Sequence, residues 1–312
     1  MATGLKAPWS VVPLSADRAL ISERDTARIL LLANGKTRLL ETVADVRPEG
    51  EGGLLGLAIL GPEAEAVYAY YTADTDNRVV AYDFDGKHLT NPREVLAGIP
   101  KGTYHNGGRI AFGPDGYLYI ATGETDHPDL AQDQASLAGK ILRVTPDGQP
   151  APGNPDPQSP VWSYGHRNVQ GLAWDADGRL WATEFGQAEV DELNLIEPGH
   201  NYGWPQCEGD CDLPGTTNPK ATWSPTSTSS PSGLAIVAGS AWVAALRGQT
   251  LYQVPLNGTS AGKPHAWFTD DLGRLRDVVQ NPAGGLWVVT NNTDGRGAPQ
   301  PGDDRIVRVD LP

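Results

Sequence analysis

The sequence is poor in the residues that announce most familiar chemistries. Its 312 residues contain two cysteines, Cys207 and Cys211, too few for a zinc site and wrongly spaced for a thioredoxin-type pair. In PQCEGDC they flank a Gly-Asp turn, where they form either a local disulfide or two free thiols, and an oxidised pair would point to export. No apolar run approaches the roughly 18 residues of a membrane-spanning helix, and the opening MATGLKAPWS lacks the charged and apolar regions of a signal peptide. Met1 is read either as a true cytoplasmic start or as a start that replaces a removed export signal. Basic residues are scarce, 24 against 38 acidic ones for a formal charge of -14, so polyanions are repelled and nucleic acid and anionic membranes are excluded as partners. GxSxG, Walker, GxGxxG and HExxH signatures are missing, which removes the usual signals of serine hydrolases, nucleotide and dinucleotide enzymes and zinc proteases.

What is abundant is glycine (37) and proline (26), with 39% apolar residues, the composition of many short strands joined by tight turns. An apolar run, a turn bearing Pro, Asp or Gly, and a second apolar run recur along the chain. The clearest copies are GGRIAFGPDGYLYIATGE from Gly107, QGLAWDADGRLWATEFG from Gln170 and LRDVVQNPAGGLWVVTN from Leu275; weaker ones start at Trp9, Gly52 and Ser232. Their first strands, aligned on Val12, Leu57, Ile110, Leu172, Leu234 and Val278, recur every 44 to 62 residues. Further β-type runs from Asn77, Gly139, Asp191 and Thr250 supply outer strands. The pattern predicts an all-β fold, a six-bladed β-propeller with four-stranded antiparallel blades forming one domain over 1–312. Residues 1–8 are expected as a flexible lead-in, and the final DRIVRVDLP as the run that closes the ring with the N-terminal unit. Surplus residues fall in 125–138, 149–165 and 199–229, as rim loops where function gathers.

The scarce arginines fall at matching junctions. Arg167 and Asn168 follow a turn in SYGHRNVQG, Arg247 sits in ALRGQ, and Arg274 and Arg276 alternate in GRLRDVV, which puts the last two on one face. One arginine alone is ordinarily a solvated surface residue; a ring would bring this set to one channel mouth as an anion site, since guanidinium forks match carboxylates. His105, in GTYHNGGRI on the same rim, is a candidate general base. EFGQAEVDELNLIEPGHNYGWP, from Glu184, combines carboxylates with turns that expose carbonyl oxygens, a set suited to calcium.

In collinear order over residues 9 to 312, EGGLLGLA, HNGGRIAFGPDGYLYIATGE, LAGKILRVTPDG, GHRNVQGLAW, DELNLIEPGHNYGWP, ALRGQ and GRLRDVV resemble the soluble glucose dehydrogenase and aldose sugar dehydrogenase family, which depends on pyrroloquinoline quinone (PQQ). The resemblance implies PQQ over the channel mouth beside a calcium ion, and oxidation of an aldose at its anomeric carbon to the lactone. His105 matches the family's base, which takes the anomeric hydroxyl proton as hydride passes to C5 of the quinone. Arg167 and Asn168 match a pair at the quinone's polar edge, Arg274 and Arg276 two PQQ-binding arginines, and Thr228 a PQQ-contacting threonine. Arg247 stands where the glucose dehydrogenases carry a lysine, keeping the charge but not the geometry. The carbonyls of Gly186 and Gln187 match calcium ligands, where members often have Gly-Pro, and Glu192 and Tyr202 resemble a second, structural calcium site. Tyr104 replaces an aspartate and Glu51 a glutamine that contacts sugar hydroxyls, so the preferred sugar does not carry over. The shorter loops suggest an open site, a broad aldose range and a monomer in place of an obligate dimer.

The resemblance further implies a periplasmic or secreted protein with an unidentified electron acceptor. Three rival readings share the fold: a calcium-dependent sugar lactonase, which needs carboxylates at the mouth in place of arginines; a propeller that binds without catalysis; and a sorbosone dehydrogenase-like enzyme, differing only in substrate.

Overall fold

The computed structural model describes residues 1–61 and 65–311. Short strands dominate, with two 3-10 turns, Pro128–Ala131 and Thr226–Thr228, and no α-helix among the described residues. No helix among them is long and apolar enough to cross a membrane. The two strands of each predicted hairpin pair, the turn of the one from Gly52 lying in part outside the described residues. The PDG and DADG turns explain why: at Gly178, φ is +78°, a backbone conformation that costs glycine nothing, and Asp175 caps the same turn by accepting the N–H groups of Asp177 and Arg179, each at 3.0 Å.

Six antiparallel sheets follow one another as the blades of a propeller. Blade one comprises Pro8–Ser15, Arg18–Glu23, Arg28–Ala33 and Lys36–Thr42, and blade two Leu54–Ile59, Ala66–Thr72, Asn77–Phe84 and Leu89–Ile99. Blade three has Ile110–Phe112, Leu118–Ala121, Lys140–Val144 and Val161–Tyr164, and blade four Val169–Trp174, Leu180–Glu184, Asp191–Ile196 and Ala221–Trp223. Blade five has Pro231–Val237, Ser240–Ala245, Thr250–Asn257 and Ser260–Ala261, with His265–Trp267 also paired to its third strand. Blade six has Leu275–Gln280, Leu286–Thr290 and Ile306–Val309. The first strand of every blade contacts the first strand of the next, and that of blade six contacts that of blade one, so these six strands line a central channel. All six alignment positions, from Val12 to Val278, lie in them.

The final run meets the start of the chain, as expected, but through residues that were expected to be a flexible lead-in. The chain start is packed: Ala2, Leu5 and Ala7 are buried, the Met1 amine donates to the Ile306 carbonyl at 3.0 Å, and Ile306 N–H bonds Ala2 O while Leu5 and Asp304 exchange main-chain bonds. Residues 1–5 therefore run along the outer strand of three-stranded blade six, and the flexible lead-in expected over 1–8 is corrected. The reason is apolar: Ala2 and Leu5 complete a cluster with Ile21, Leu32, Trp287 and Ile306.

There is no single core. Six apolar clusters each fill the gap between two neighbouring blades. Strand residues alternate between faces, and a blade flanked on both sides needs both faces apolar: in blade one Leu20 packs toward blade two, while Ala19 and Ile21 pack toward blade six. This is why the strands read as continuous apolar runs, and why the polar groups collect at the channel and its rims.

Candidate active site at one channel mouth

Contacts in the same register run around the ring and gather the residues that precede each inner strand. Gly56 N–H bonds Gly108 O at 3.1 Å, Gly107 N–H bonds Asn168 Oδ1 at 3.0 Å, Arg109 Nε bonds Gln170 O at 2.9 Å, and Asp277 accepts Val11 N–H at 2.9 Å. Arg109 also meets Asp277 at 3.1 Å, and Trp9 lies under two guanidinium groups, 4.4 Å from Arg109 and 5.6 Å from Arg276. A buried polar floor thus crosses the channel, and the mouth residues stand on it.

His105 has φ +53°. Its Nδ1 pairs with the Glu124 carboxylate and lies 3.4 Å from Asp126, which leaves Nε2 to accept a proton. Glu124 is buried and its second oxygen, Oε2, has no partner among the described residues. Glu51 accepts the His105 N–H at 3.0 Å and Arg296 at 2.8 Å. Burial alone would raise the proton affinity of Glu51; the bonds from Arg296 and the His105 N–H outweigh it and hold the carboxyl below its ordinary range. The exposed Tyr104 ring is 6.3 Å from that of His105.

The arginines divide into two groups. Arg274 pairs with Asp294 at 3.0 Å, and Arg276, 5% exposed, donates to Gln170 Oε1 at 2.6 Å. Burial pushes Arg276 down to about 9, opposed by the charge of Asp294 and reinforced by those of Arg24 and Arg274. On the opposite side Arg167 donates to Gly186 O at 2.8 Å and lies over Trp204, and burial lowers its proton affinity too. Arg247, after the second strand of blade five, and Thr228, in the 3-10 turn that precedes the blade, are both exposed, and the Tyr252 hydroxyl donates to Thr228 O at 2.9 Å.

The structure tests whether this mouth suits a polyanionic cofactor. Arg276 Nε, Arg167 Nε and Asn168 Nδ2 are buried donors without partners among the described residues. A buried cation pushed toward losing its proton beside two others is a site short of negative charge. The three carboxylates of PQQ fit that deficit.

The calcium candidates fit in part. The loop carrying Gly186 and Gln187 folds around Glu208, whose Oε1 accepts the N–H groups of Gln187, Ala188, Glu189 and Val190 at 2.7–3.0 Å. Cys207 and Cys211 are disulfide-bonded beside it. Asp191 ties this loop to blade five by accepting from Gly186 and Ser230, and burial raises its carboxyl to about 7. Gly186 O is a hard oxygen of the right kind, held here by Arg167. At the second candidate site, burial and the charge of Glu184 raise Glu192 to about 8, and the neighbouring Asn194 Oδ1 is a buried acceptor without a partner among the described residues. Glu192 accepts Asn194 Nδ2 at 2.9 Å and Gly209 N–H at 2.7 Å, so the unpartnered oxygen that suits a cation here is Asn194 Oδ1. Tyr202 does not join it through its hydroxyl, which donates to Leu195 O at 2.6 Å and accepts from Glu197 N–H; its ring stacks on His166 at 4.7 Å.

Sequence reasoning missed Glu124, Asp126, Arg24, Asp294, Arg296 and Asn194. Glu124 had a signal, since it ends the ATGE segment that follows a hairpin strand. Arg296 had none, because its partner Glu51 lies 245 residues away.

Comparison with known proteins shows the family. A family model described as glucose / sorbosone dehydrogenase matches residues 5–300. The chain is similar to the PQQ-bound aldose sugar dehydrogenase from Streptomyces coelicolor, at 53% identity and TM-score 0.95, over 98% of this chain and 94% of that one. It is similar to a putative oxidoreductase (glucose dehydrogenase) from Thermus thermophilus, at 42% identity and TM-score 0.92, over 99% and 98%. Aldose sugar dehydrogenase YliI of Escherichia coli is 29% identical over 92% of this chain and 88% of its own length. With its six blades and a histidine–carboxylate pair facing an arginine-lined mouth, the chain belongs to the glucose/sorbosone dehydrogenase family of oxidoreductases.

Proposed function

We propose that the protein oxidises aldoses at the anomeric carbon to the lactone, with PQQ as cofactor and calcium as a second one. The observation that carries this reading is the placement of unpartnered buried donors on Arg276, Arg167 and Asn168 around a mouth that also holds His105 with Glu124 at its Nδ1.

Oxidation to the lactone removes a proton from the anomeric hydroxyl and a hydride from its carbon. His105 takes the proton at Nε2. Glu124, on Nδ1, fixes the tautomer that leaves Nε2 free and stabilises the imidazolium that results. Arg274, Arg276, Arg167, Asn168, Arg247 and Thr228 would bind and orient the cofactor, and the main-chain oxygens of Gly186 and Gln187 would hold calcium. When bound, PQQ supplies the hydride acceptor at C5, and calcium acts as a Lewis acid at the quinone carbonyl. Glu192 with Asn194 would hold a structural cation. Tyr104 and Glu51 flank the sugar side, which the exposed Tyr104 ring leaves open to a range of aldoses. The Cys207–Cys211 disulfide supports an oxidising, periplasmic or secreted setting, and a monomer suffices because one chain supplies every residue named.

Apo-protein given a panel of aldoses and a reducible dye should turn over only when PQQ and calcium are both added. A chelator should abolish turnover and lower the melting temperature, through loss of a ligand that binds only the folded state. Turnover without PQQ, or lactone hydrolysis in its place, would overturn the reading.

A further inference from the structure

We infer that Arg296 and Glu51 form a strap across the channel mouth that holds the proton-accepting histidine, which makes Arg296 a positioning residue for the reaction. This rests on the dehydrogenase reading above. Glu51 lies just before the inner strand of blade two and its carboxylate is divided between two partners. One oxygen accepts the main-chain N–H of His105 at 3.0 Å and the other accepts Arg296 Nη1 at 2.8 Å. One bond to each oxygen ties Glu51 to the base while its carboxylate still flanks the sugar side, where the resemblance has a glutamine.

Arg296 arrives from the far side, on the blade-six segment 291–305, and reaches over blade one. That segment is anchored. Asp294 Oδ1 accepts Arg296 N–H at 2.9 Å, and its Oδ2 accepts Arg274 at 3.0 Å and Asn291 at 3.0 Å. Arg24 of blade one donates to the Asp294 carbonyl at 3.2 Å, and Asp304 takes the N–H groups of Asn292 and Thr293 at 2.5 and 3.0 Å. From this anchored backbone the half-exposed Arg296 side chain reaches a carboxylate that is itself 16% exposed. His105 is gripped at both ends, by Glu124 on the ring and by Glu51 on the backbone, at a φ of +53° that an L-residue adopts only when its surroundings impose it.

The strap also sets the charge that the imidazole feels. The charged groups facing His105 are Glu124 and Asp126 of blade three, Glu51 of blade two and Arg296 of blade six, with Arg167 of blade four acting on Glu124 and Glu51; the phenol of Tyr104 stands beside it. Arg296 is the counter-charge of Glu51. Removing one member of the pair shifts the base one way, and removing the other shifts it the opposite way.

The test is a pH titration of the histidine ring signals of the apo-protein by NMR, with His105 assigned by its loss in His105→Gln. In Arg296→Ala the uncompensated Glu51 favours the protonated ring, so the midpoint of His105 should rise by about half a unit; in Glu51→Gln, which keeps an acceptor for the His105 N–H, it should fall by about the same amount. Arg296→Lys should restore the wild-type midpoint. In the loaded enzyme the acid limb of the kcat/KM profile should move in the same two directions. Arg296→Ala should lower kcat by roughly 10-fold, below the roughly 10²- to 10⁴-fold cost of losing a general base outright, with PQQ affinity, read by tryptophan quenching, unchanged. Midpoints that do not move, or that move together in both variants, overturn the strap, as would a change confined to KM. Absence of PQQ-dependent turnover in the wild type would overturn the dehydrogenase reading instead, and the NMR titration would still decide the strap.

Discussion

His105→Gln should lower kcat by about 10³-fold while leaving PQQ affinity nearly unchanged, the scale expected when a general base is removed and its position filled by an inert amide. Glutamine preserves roughly the volume of the imidazole and can still bond Glu124, so the mouth should keep its shape. The loss should fall on kcat and kcat/KM alike, because the proton is accepted only as the transition state forms. Glu124→Gln is a useful companion. It keeps a hydrogen-bonding group at Nδ1 but removes the charge that stabilises the imidazolium, and its effect should be intermediate. If His105→Gln turned over at the wild-type rate, the base would have to be sought elsewhere on the rim.

Arg276→Ala should weaken PQQ binding by about 10- to 100-fold, the loss of a charge-assisted contact inside a desolvated site. Equilibrium titration of the apo-variant measures this directly. Arg276 has more to lose than Arg274 because its Nε is unpartnered and because burial and neighbouring cations already push it down to about 9, so an anion at the mouth relieves a charge imbalance as well as forming a bond. Arg274, by contrast, is compensated by Asp294 at 3.0 Å. An affinity unchanged in Arg276→Ala would mean that the cofactor does not contact this side of the mouth.

The hairpins, their number and the inner-strand positions were legible because each blade repeats the same sequence of apolar run, turn and apolar run, and a sheet packed on both faces leaves no polar alternation to confuse the period. The packed chain start was not legible. The apolar residues of MATGLKA form neither a run nor an alternation that would signal a strand, and Ala2 and Leu5 are buried where blade six lacks a fourth strand of its own. At the mouth, His105 and the arginines could be picked out because basic residues are rare in this acidic chain and recur at matching junctions. Their partners could not. Glu124, Asp294 and Arg296 are ordinary turn residues until the ring brings Glu51 and Arg296 together from opposite ends of the chain. Tyr202 has a role the sequence did not signal: its hydroxyl bonds Leu195 and Glu197, and its ring stacks on the buried His166. His166 in turn bonds Glu184 at 2.8 Å, the carboxylate that also accepts the Arg167 N–H, so the tyrosine supports the cofactor side of the mouth through packing.

The most direct test of the account is an anaerobic absorbance titration of apo-protein loaded with one equivalent of PQQ in the presence of calcium, followed by an aldose and no other electron acceptor. The account predicts stoichiometric binding and then conversion of the bound cofactor to its two-electron reduced form, with one lactone formed per site. Tight binding of PQQ with no spectral change for any aldose would contradict the proposed reaction, and failure to bind PQQ at all would contradict the reading of the arginine mouth on which the mechanism stands.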